Sequence, residues 1–471
     1  MLRIISIASV GFKHKLLVFS GALAVIVLSY RLLRPMRQQG LIHHSHPVVF
    51  APKATPSEQM QNQTTFFQNS TTILPEINSR GKNESRLPVT DSPVNHRSQP
   101  TWKPISRYTY AYSAFYDDRK TPHSIRVIIV LDEELSVRDK RCAIHLSDEM
   151  TIFVRGQFDP IGFGVRVNNT RYKEFILTCP VPQGVSPPVS VSLGSAAPRV
   201  EVVFPTTLHH ELGLCTCVSV TFQEPDWQRM VEWLEMQRIL GVSQVFIYNN
   251  SIPAGSKAAT VLAYYQRQGF LVLKHSEPFL RTDVTKEGGV LLHMSPVIND
   301  CMYRNMHRCQ YIMVIDLDEV IVPRQHNDLI SMLVQLSLHE HKTQHNFRNV
   351  YYFLNSSSNE PAESVFLREN FRLETSPPLM SVKSIINPLT CTHMHNHRCW
   401  SGWDMQPELD VAPEIATNNH YKACHFDGLL RRPGICSWLA EQGFPDDTMQ
   451  RFAGRLLPAI CRAKKDIFQT T

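Results

Sequence analysis

Residues 311–323 read YIMVIDLDEVIVP, and this stretch decides the fold. Tyr311 to Asp316 is an apolar strand that runs straight into acids, Asp316-Leu317-Asp318-Glu319. An unbroken apolar run of this length suits a strand buried on both faces. The same grammar recurs upstream. CVSVTF (217–222), VFIY (245–248) and FLVL (270–273) are strands, and helical stretches separate them. Pro225-Asp226 supplies an N-cap, Trp227, Met230, Val231 and Leu234 recur at helical spacing, and Gly241 is placed as a C-cap. A second helix runs to Gly269. Ser295-Pro296 fits an N-cap with proline at the first helical position, opening a helix through Asn305. Strands alternating with helices predict an α/β domain over residues 206–462, with a Rossmann-type, mostly parallel sheet covered by helices on both faces. Such sheets bind ligands beyond the carboxyl ends of their strands. Asp316 and Asp318 stand at one of these ends.

Before this domain, residues 107–205 read as a small β-rich module, with an aromatic strand at 108–116 and the buried-type run IRVIIVL at 125–131. Residues 34–106 are rich in Ser, Thr, Asn, Gln and Pro and lack a sustained apolar period, which reads as a solvated stem. Residues 16–33 hold a fifteen-residue uncharged run, LLVFSGALAVIVLSY, extended by Leu32 and Leu33 past a snorkelling Arg31. Because the apolar run continues past the small residues Ala22-Leu23-Ala24, it reads as an uncleaved anchor after a cytosolic tail at 1–15, with a cleaved signal peptide as the rival. The eleven cysteines all follow the span, as do sequons at Asn62, Asn69, Asn83, Asn168, Asn249 and Asn355. Both features place the bulk of the chain in an oxidising lumen. The layout is that of a single-pass type II protein, anchored to the membrane by one N-terminal helix. Cys301/Cys309, Cys391/Cys399 and Cys424/Cys436 are close enough for short loops. The odd count leaves a thiol unpaired or bridging two copies, which admits a homodimer.

The net charge of +6 invites a nucleic-acid reading, which its distribution excludes. Residues 1–107 hold 13 Lys/Arg against 4 Asp/Glu, or +9, so the remaining 364 carry 35 against 38, or −3. A phosphate-backbone binder needs the basic surplus on its folded part. No nucleic acid is expected as a partner.

Two carboxylates spaced by one residue at a strand end can converge on a hard divalent cation, Mn²⁺ or Mg²⁺, which takes oxygen ligands and bridges to diphosphate. A solvated loop after a strand is the competing reading. In a lumenal α/β domain, such a site points to sugar transfer from a nucleotide. The metal would act as a Lewis acid toward the departing diphosphate, and a carboxylate or histidine would take the acceptor proton if configuration inverts. Acidic candidates for that base are Glu232, Glu235, Glu319, Asp404 and Asp427, the first two reading as ordinary helix surface. CTHMHNHRC (391–399) offers a rival metal site, since three alternating histidines could bind zinc in a hydrolase; a disulfide-closed loop with solvated histidines is the other reading.

The chain resembles glycosyltransferase family 92 over Ser113 to Tyr421. The carriers are SAFYDDR (113–119), VEWLEMQRILGVSQVFIYNNS (231–251), NDCMYRN (299–305), YIMVIDLDEVIVP (311–323), KSIINP (383–388) and NHYK (419–422). The resemblance implies a GT-A-like, metal-dependent, inverting Golgi enzyme. It would transfer galactose from UDP-galactose in a β1,4 linkage to a galactose- or fucose-terminated glycan on glycoprotein or glycolipid. It also implies roles: Asp316, Asp318 and His420 as metal ligands, with His393 or His395 next in line; Asp318 and Glu319 are the residues expected to be catalytic. Ser219, Val220, Thr221, Tyr248 and Asn249 would border the nucleotide, which would leave the Asn249 sequon unglycosylated. Asp300 and Arg304 would contact nucleotide or donor sugar, or else form an i,i+4 ion pair. A non-catalytic, lectin-like membrane protein on the same fold is the alternative of a different class, and it would make Asp316 and Asp318 dispensable.

Overall fold

The computed structural model describes residues 99–134, 141–167, 170–194, 197–205, 211–221, 224–276, 289–339, 342–354, 363–402, 408–424 and 434–468. The expected anchor at 16–33 lies outside them, as do Asp404, Asp427 and all the sequons except Asn249. Among the described residues, no helix is long and apolar enough to cross a membrane.

Ten strands between Lys103 and Val203 form a first sheet. Its long members, Thr109–Asp117, Ser124–Asp132 and Thr170–Pro180, pair antiparallel in that order. The run IRVIIVL explains why the strand Ser124–Asp132 is not solvated on either side. Ile125, Val127, Ile129 and Leu131 face the sheet's own core, and Ile128 faces a second core shared with the following α/β half. Strands covered on both faces need no polar alternation. The short strand Lys103–Ser106, at the end of the expected stem, joins this sheet beside Thr109–Asp117.

The α/β half is built on a sheet of eleven strands. Strands β1 (Leu212–Thr221), β2 (Val242–Asn249), β3 (Leu271–His275) and β4 (Cys309–Ile315) lie parallel in the order β3-β2-β1-β4. Helix α1 (Trp227–Ile239) and α2 (Lys257–Arg267) pack into the core on one face, and α3 (Gly289–Asn305) into the core on the other. The caps are as the sequence predicts. Asp226 accepts from the Gln228 N–H at 2.9 Å, and Gly241 has φ +86° as its N–H reaches the Arg238 carbonyl at 3.1 Å.

Past β4 the expectation of a mostly parallel sheet fails, and the sheet is mixed. β5 (Glu319–Pro323), β6 (Gln344–Phe353), β7 (Val382–Ile386) and β8 (Ala416–Lys422) complete the part that concerns the site. β7 is antiparallel to both β4 and β6, and β8 is parallel to β6 but antiparallel to β5. A parallel neighbour needs a long crossover, usually a helix. The helix among the described residues between β6 and β7 has four residues, Val365–Arg368, and the strand Phe371–Arg372 follows it.

Three further expectations change. The helix expected to open at Ser295-Pro296 starts at Gly289 and carries Pro296 inside it. Proline inside a helix forfeits one hydrogen bond, a loss that the packing of Val297, Ile298, Cys301 and Met302 into the core offsets. Cys301 and Cys309 do not pair with each other. They bond Cys217 and Cys215, which alternate onto the face of β1 that α3 covers. The pairs Cys391–Cys399 and Cys424–Cys436 form as spaced, Cys142–Cys179 joins them, and Cys461 is unpaired. Finally, Glu232 and Glu235 are not helix surface. Met230 through Gln237 are all buried: the C-terminal helix Ala453–Phe468 shares the core with α1, the start of the short helix Val365–Arg368 covers Glu232, and Tyr265 of α2 meets Glu235.

Candidate active site

The turn after β4 is a tight one, with the Glu319 N–H donating to the Asp316 carbonyl at 3.1 Å. β5 then pairs with β8 in a register that sets Glu319 opposite His420. His420 Nε2 lies 3.1 Å from Asp318 Oδ2, and its Nδ1 lies 3.2 Å from Glu319 Oε1. The ladder thus brings together, from 102 residues apart in sequence, the acids and the histidine proposed to share a metal. Backbone anchors hold the turn. The Tyr421 N–H donates to the Asp318 carbonyl at 2.8 Å, and the Trp233 indole of α1 donates to the Glu319 carbonyl at 2.8 Å. The Tyr351 ring lies 5.3 Å from His420.

Lys383, outside the expected site residues, completes the cluster. β7 pairs with β4 through Ile312↔Ile386 and Met313↔Ile385, which carries Lys383 alongside the end of β4. Its Nζ lies 3.0 Å from Asp316 Oδ2, 3.0 Å from Glu319 Oε2 and 3.2 Å from Asn396 Oδ1. Burial opposes its charge, but Asp316 and Glu319 outweigh that and raise its pKa above the ordinary lysine value. The cluster is layered. The Glu319 and Lys383 side chains are 2 % and 1 % exposed, whereas those of Asp316 and Asp318 are 35 % and 37 % exposed. Of these four, only the latter pair can meet a ligand. The available signal was a lysine heading the apolar segment KSIINP, which does not by itself reveal what it neutralises.

Other expected site residues have structural partners. Thr221 Oγ1 donates to the Tyr248 carbonyl at 2.9 Å, tying the ends of β1 and β2 together. Asn249 Oδ1 accepts from the Ile252 N–H at 2.7 Å, closing a turn. The side chains of Ser219 and Val220 lie outside the described residues. Thr221 pairs with Asn249, and Val218 with Ile315, so these strand ends share one sheet edge with Asp316. Asp300 and Arg304 take their alternative reading. They form an ion pair at 2.8 Å, with Tyr248 OH donating to Asp300 at 2.6 Å, and at 0 % and 4 % exposure they offer nothing to a nucleotide. Glu232 accepts from the Val365 and Phe366 N–H groups at the start of a short helix, and Glu235 accepts from Tyr265 OH. Both are therefore removed from the candidates for the base.

The histidine-rich loop does not gather its rings. His393 bonds Thr392 Oγ1, His395 stacks on Trp400, and His397 Nδ1 faces the Val382 carbonyl at 3.1 Å. Among the described residues, no three His, Cys, Asp or Glu side chains converge as a closed metal cage. The zinc reading loses its support. Asp318 and His420 still fit an ion that takes its other ligands from diphosphate and water. Their 3.1 Å separation matches adjacent ligands of an octahedral ion, about 3 Å for bonds of roughly 2.1 Å.

SAFYDDR acquires a role as a brace. Asp117 pairs with Arg119 and Arg126 at 2.8 and 2.9 Å. Arg119 also donates to the carbonyls of Pro388 and Cys391 at 2.7 and 2.6 Å, which fixes the segment between β7 and the histidine-rich loop.

A mixed α/β sheet that delivers Asp-x-Asp and a strand-paired histidine to one edge has the makings of a glycosyltransferase. The sequence profile described as glycosyltransferase family 92 matches residues 213–451, and the chain belongs to that family. It is 23 % identical over 290 residues to the beta-1,4-galactosyltransferase galt-1 of Caenorhabditis elegans, an alignment that covers 58 % of this chain and 64 % of that protein. The chain therefore spans just under two thirds of the relative. The crystal structure of S. aureus TarS 1-349 aligns over 55 % of this chain and 73 % of its own at 8 % identity, with a TM-score of 0.22 that is too low to carry an argument.

Proposed function

We propose that the protein is a GT-A-like, inverting galactosyltransferase of the Golgi lumen that moves galactose from UDP-galactose onto a galactose- or fucose-terminated glycan. The observation that carries this reading is the Asp318–His420 contact at 3.1 Å, set at the carboxyl edge of the sheet. The galactose donor and the β1,4 linkage rest on the family and on the name of the nematode relative. Five disulfides among the described residues support the oxidising lumen.

In this reading Asp318 and His420 would hold Mn²⁺ (or Mg²⁺), with the comparably exposed Asp316 carboxylate beside them. When bound, the ion supplies Lewis-acid stabilisation of the leaving UDP. The chain's own residues set the stage. Lys383 neutralises Glu319 and orients Asp316, so that the surplus negative charge sits on the carboxylates able to meet a ligand. Glu319 is enclosed between Lys383, the Asp316 N–H and His420, and it serves to position them rather than to take up a proton.

The deciding test gives the full-length protein a panel of UDP-sugars with galactosyl and fucosyl acceptors, with Mn²⁺ and then with chelator. Transfer from UDP-galactose that stops on chelation is expected. Transfer from another UDP-sugar alone, or at full rate in chelator, refutes the donor or the metal.

A further inference from the structure

The Cys391–Cys399 loop carries an aromatic surface that this chemistry leaves unused. The His395 imidazole stacks on the Trp400 indole, with centroids 4.1 Å apart and planes at 11°. Phe163, from the first sheet, meets both edge-on, at 5.3 Å from His395 and 5.1 Å from Trp400. Phe163 is 59 % exposed, a large apolar ring left in water.

The turn that presents it is tightly specified. A side chain at Gly162 would run into the Glu174 carboxyl group. Gly164 has φ +73°, and a Cβ there would sit 2.8 Å from the Tyr172 carbonyl oxygen. The buried Glu174 pins the turn by accepting from the Gly164 N–H at 3.2 Å. Gly162-Phe163-Gly164 is thus a rigid mount for one exposed ring. His395 is equally fixed in character, since burial first, and then His397, Lys383 and Arg398, lower its pKa to about 3 and keep the stacked ring neutral.

A chain of polar contacts links this surface to the acidic cluster. Asn396, next to His395, reaches Lys383 Nζ at 3.2 Å, and Lys383 holds Asp316 at 3.0 Å. We propose that Phe163, His395 and Trp400 form the acceptor subsite, a platform on which the apolar face of the terminal pyranose of the acceptor glycan lies beside Asp316 and Asp318. This deepens the transferase reading and rests on it. A pyranose carries C–H groups across one face and hydroxyls around its rim, which suits an aromatic platform edged by polar groups. Asn396 and the Arg398–Glu408 pair, 3.4 Å apart, supply that edge.

The test uses full-length protein in two arms. In the first, Phe163→Ala and Trp400→Ala should each raise the acceptor KM about ten-fold. The donor KM and acceptor-independent hydrolysis of UDP-galactose should stay at wild-type values, and the comparably exposed Phe153→Ala should change nothing. In the second, saturation-transfer NMR with methyl β-D-galactopyranoside should show contact with wild type that Phe163→Ala removes. Loss of glycoside contact in the variant supports the platform even if wild type transfers no sugar, in which case only the transferase reading falls. An unchanged acceptor KM together with unchanged glycoside contact, or a donor KM that rises as much as the acceptor KM, overturns the platform.

Discussion

Lys383 Nζ sits 3.0 Å from Asp316 Oδ2, although 67 residues separate the two in sequence. The same ammonium lies 3.0 Å from Glu319 Oε2, so one buried cation answers two acids of the Asp-x-Asp turn. Lys383→Met leaves Glu319 buried without its counter-charge. Breaking such a pair costs about 3–5 kcal/mol. Urea unfolding of the full chain should show a loss of that order, smaller for Lys383→Arg. The double variant Lys383→Met/Glu319→Gln should recover at least about 1 kcal/mol, since it removes both members of the pair. Strictly additive losses would show that the lysine does not act on Glu319.

Asp318 behaves oppositely, because its carboxylate is more than a third exposed. Asp318→Asn should leave unfolding within about 1 kcal/mol of wild type while transfer falls by about 10²–10³-fold, the usual cost of losing one electrostatic contact to a transition state. His420→Ala should follow it. A variant retaining a tenth or more of the wild-type rate would remove Asp318 from the site.

The parts of this architecture written in local order could be read from the chain. β1 to β4, the Asp226 cap, the Gly241 turn and the acids after Ile315 all follow from residues within a turn or two of one another. What escaped depends on distant partners. Glu232 looks like helix surface until the start of a short helix more than 130 residues later bonds to it. Lys383 reads as one more strand residue until antiparallel pairing with β4 swings it beside Asp316. Phe163 reads as a loop residue, and its rings of contact lie on a loop more than 200 residues away. The family resemblance of NHYK points to His420, and the β5–β8 ladder supplies the physical reason for its position.

Asp300 and Arg304 offer a test that separates packing from binding. The pair is buried in α3 under β2, with Tyr248 closing it from above. Asp300→Asn leaves a buried guanidinium facing a neutral group and should cost about 2–4 kcal/mol in chemical denaturation. The donor KM of the folded fraction should stay within two-fold of wild type. A donor KM that rises ten-fold at unchanged stability would return the pair to the nucleotide site.

Glu174 makes stability depend on pH in a direction unusual for a carboxylate. Burial raises its pKa from 4.5 to about 7, against the opposing pull of the Gly164 N–H and Lys173. The folded protein therefore holds this proton more tightly than the unfolded chain. The associated stability is fully present below about pH 4.5 and is lost as pH rises through about 7, up to about 3 kcal/mol in all. Thermal unfolding followed from pH 5 to pH 8 should show this decline as a component that Glu174→Gln abolishes, because the amide oxygen still accepts from Gly164 and cannot ionise. The glutamine variant should also be the more stable protein at pH 8. If its pH profile instead parallels that of wild type across this window, Glu174 is not the group that titrates.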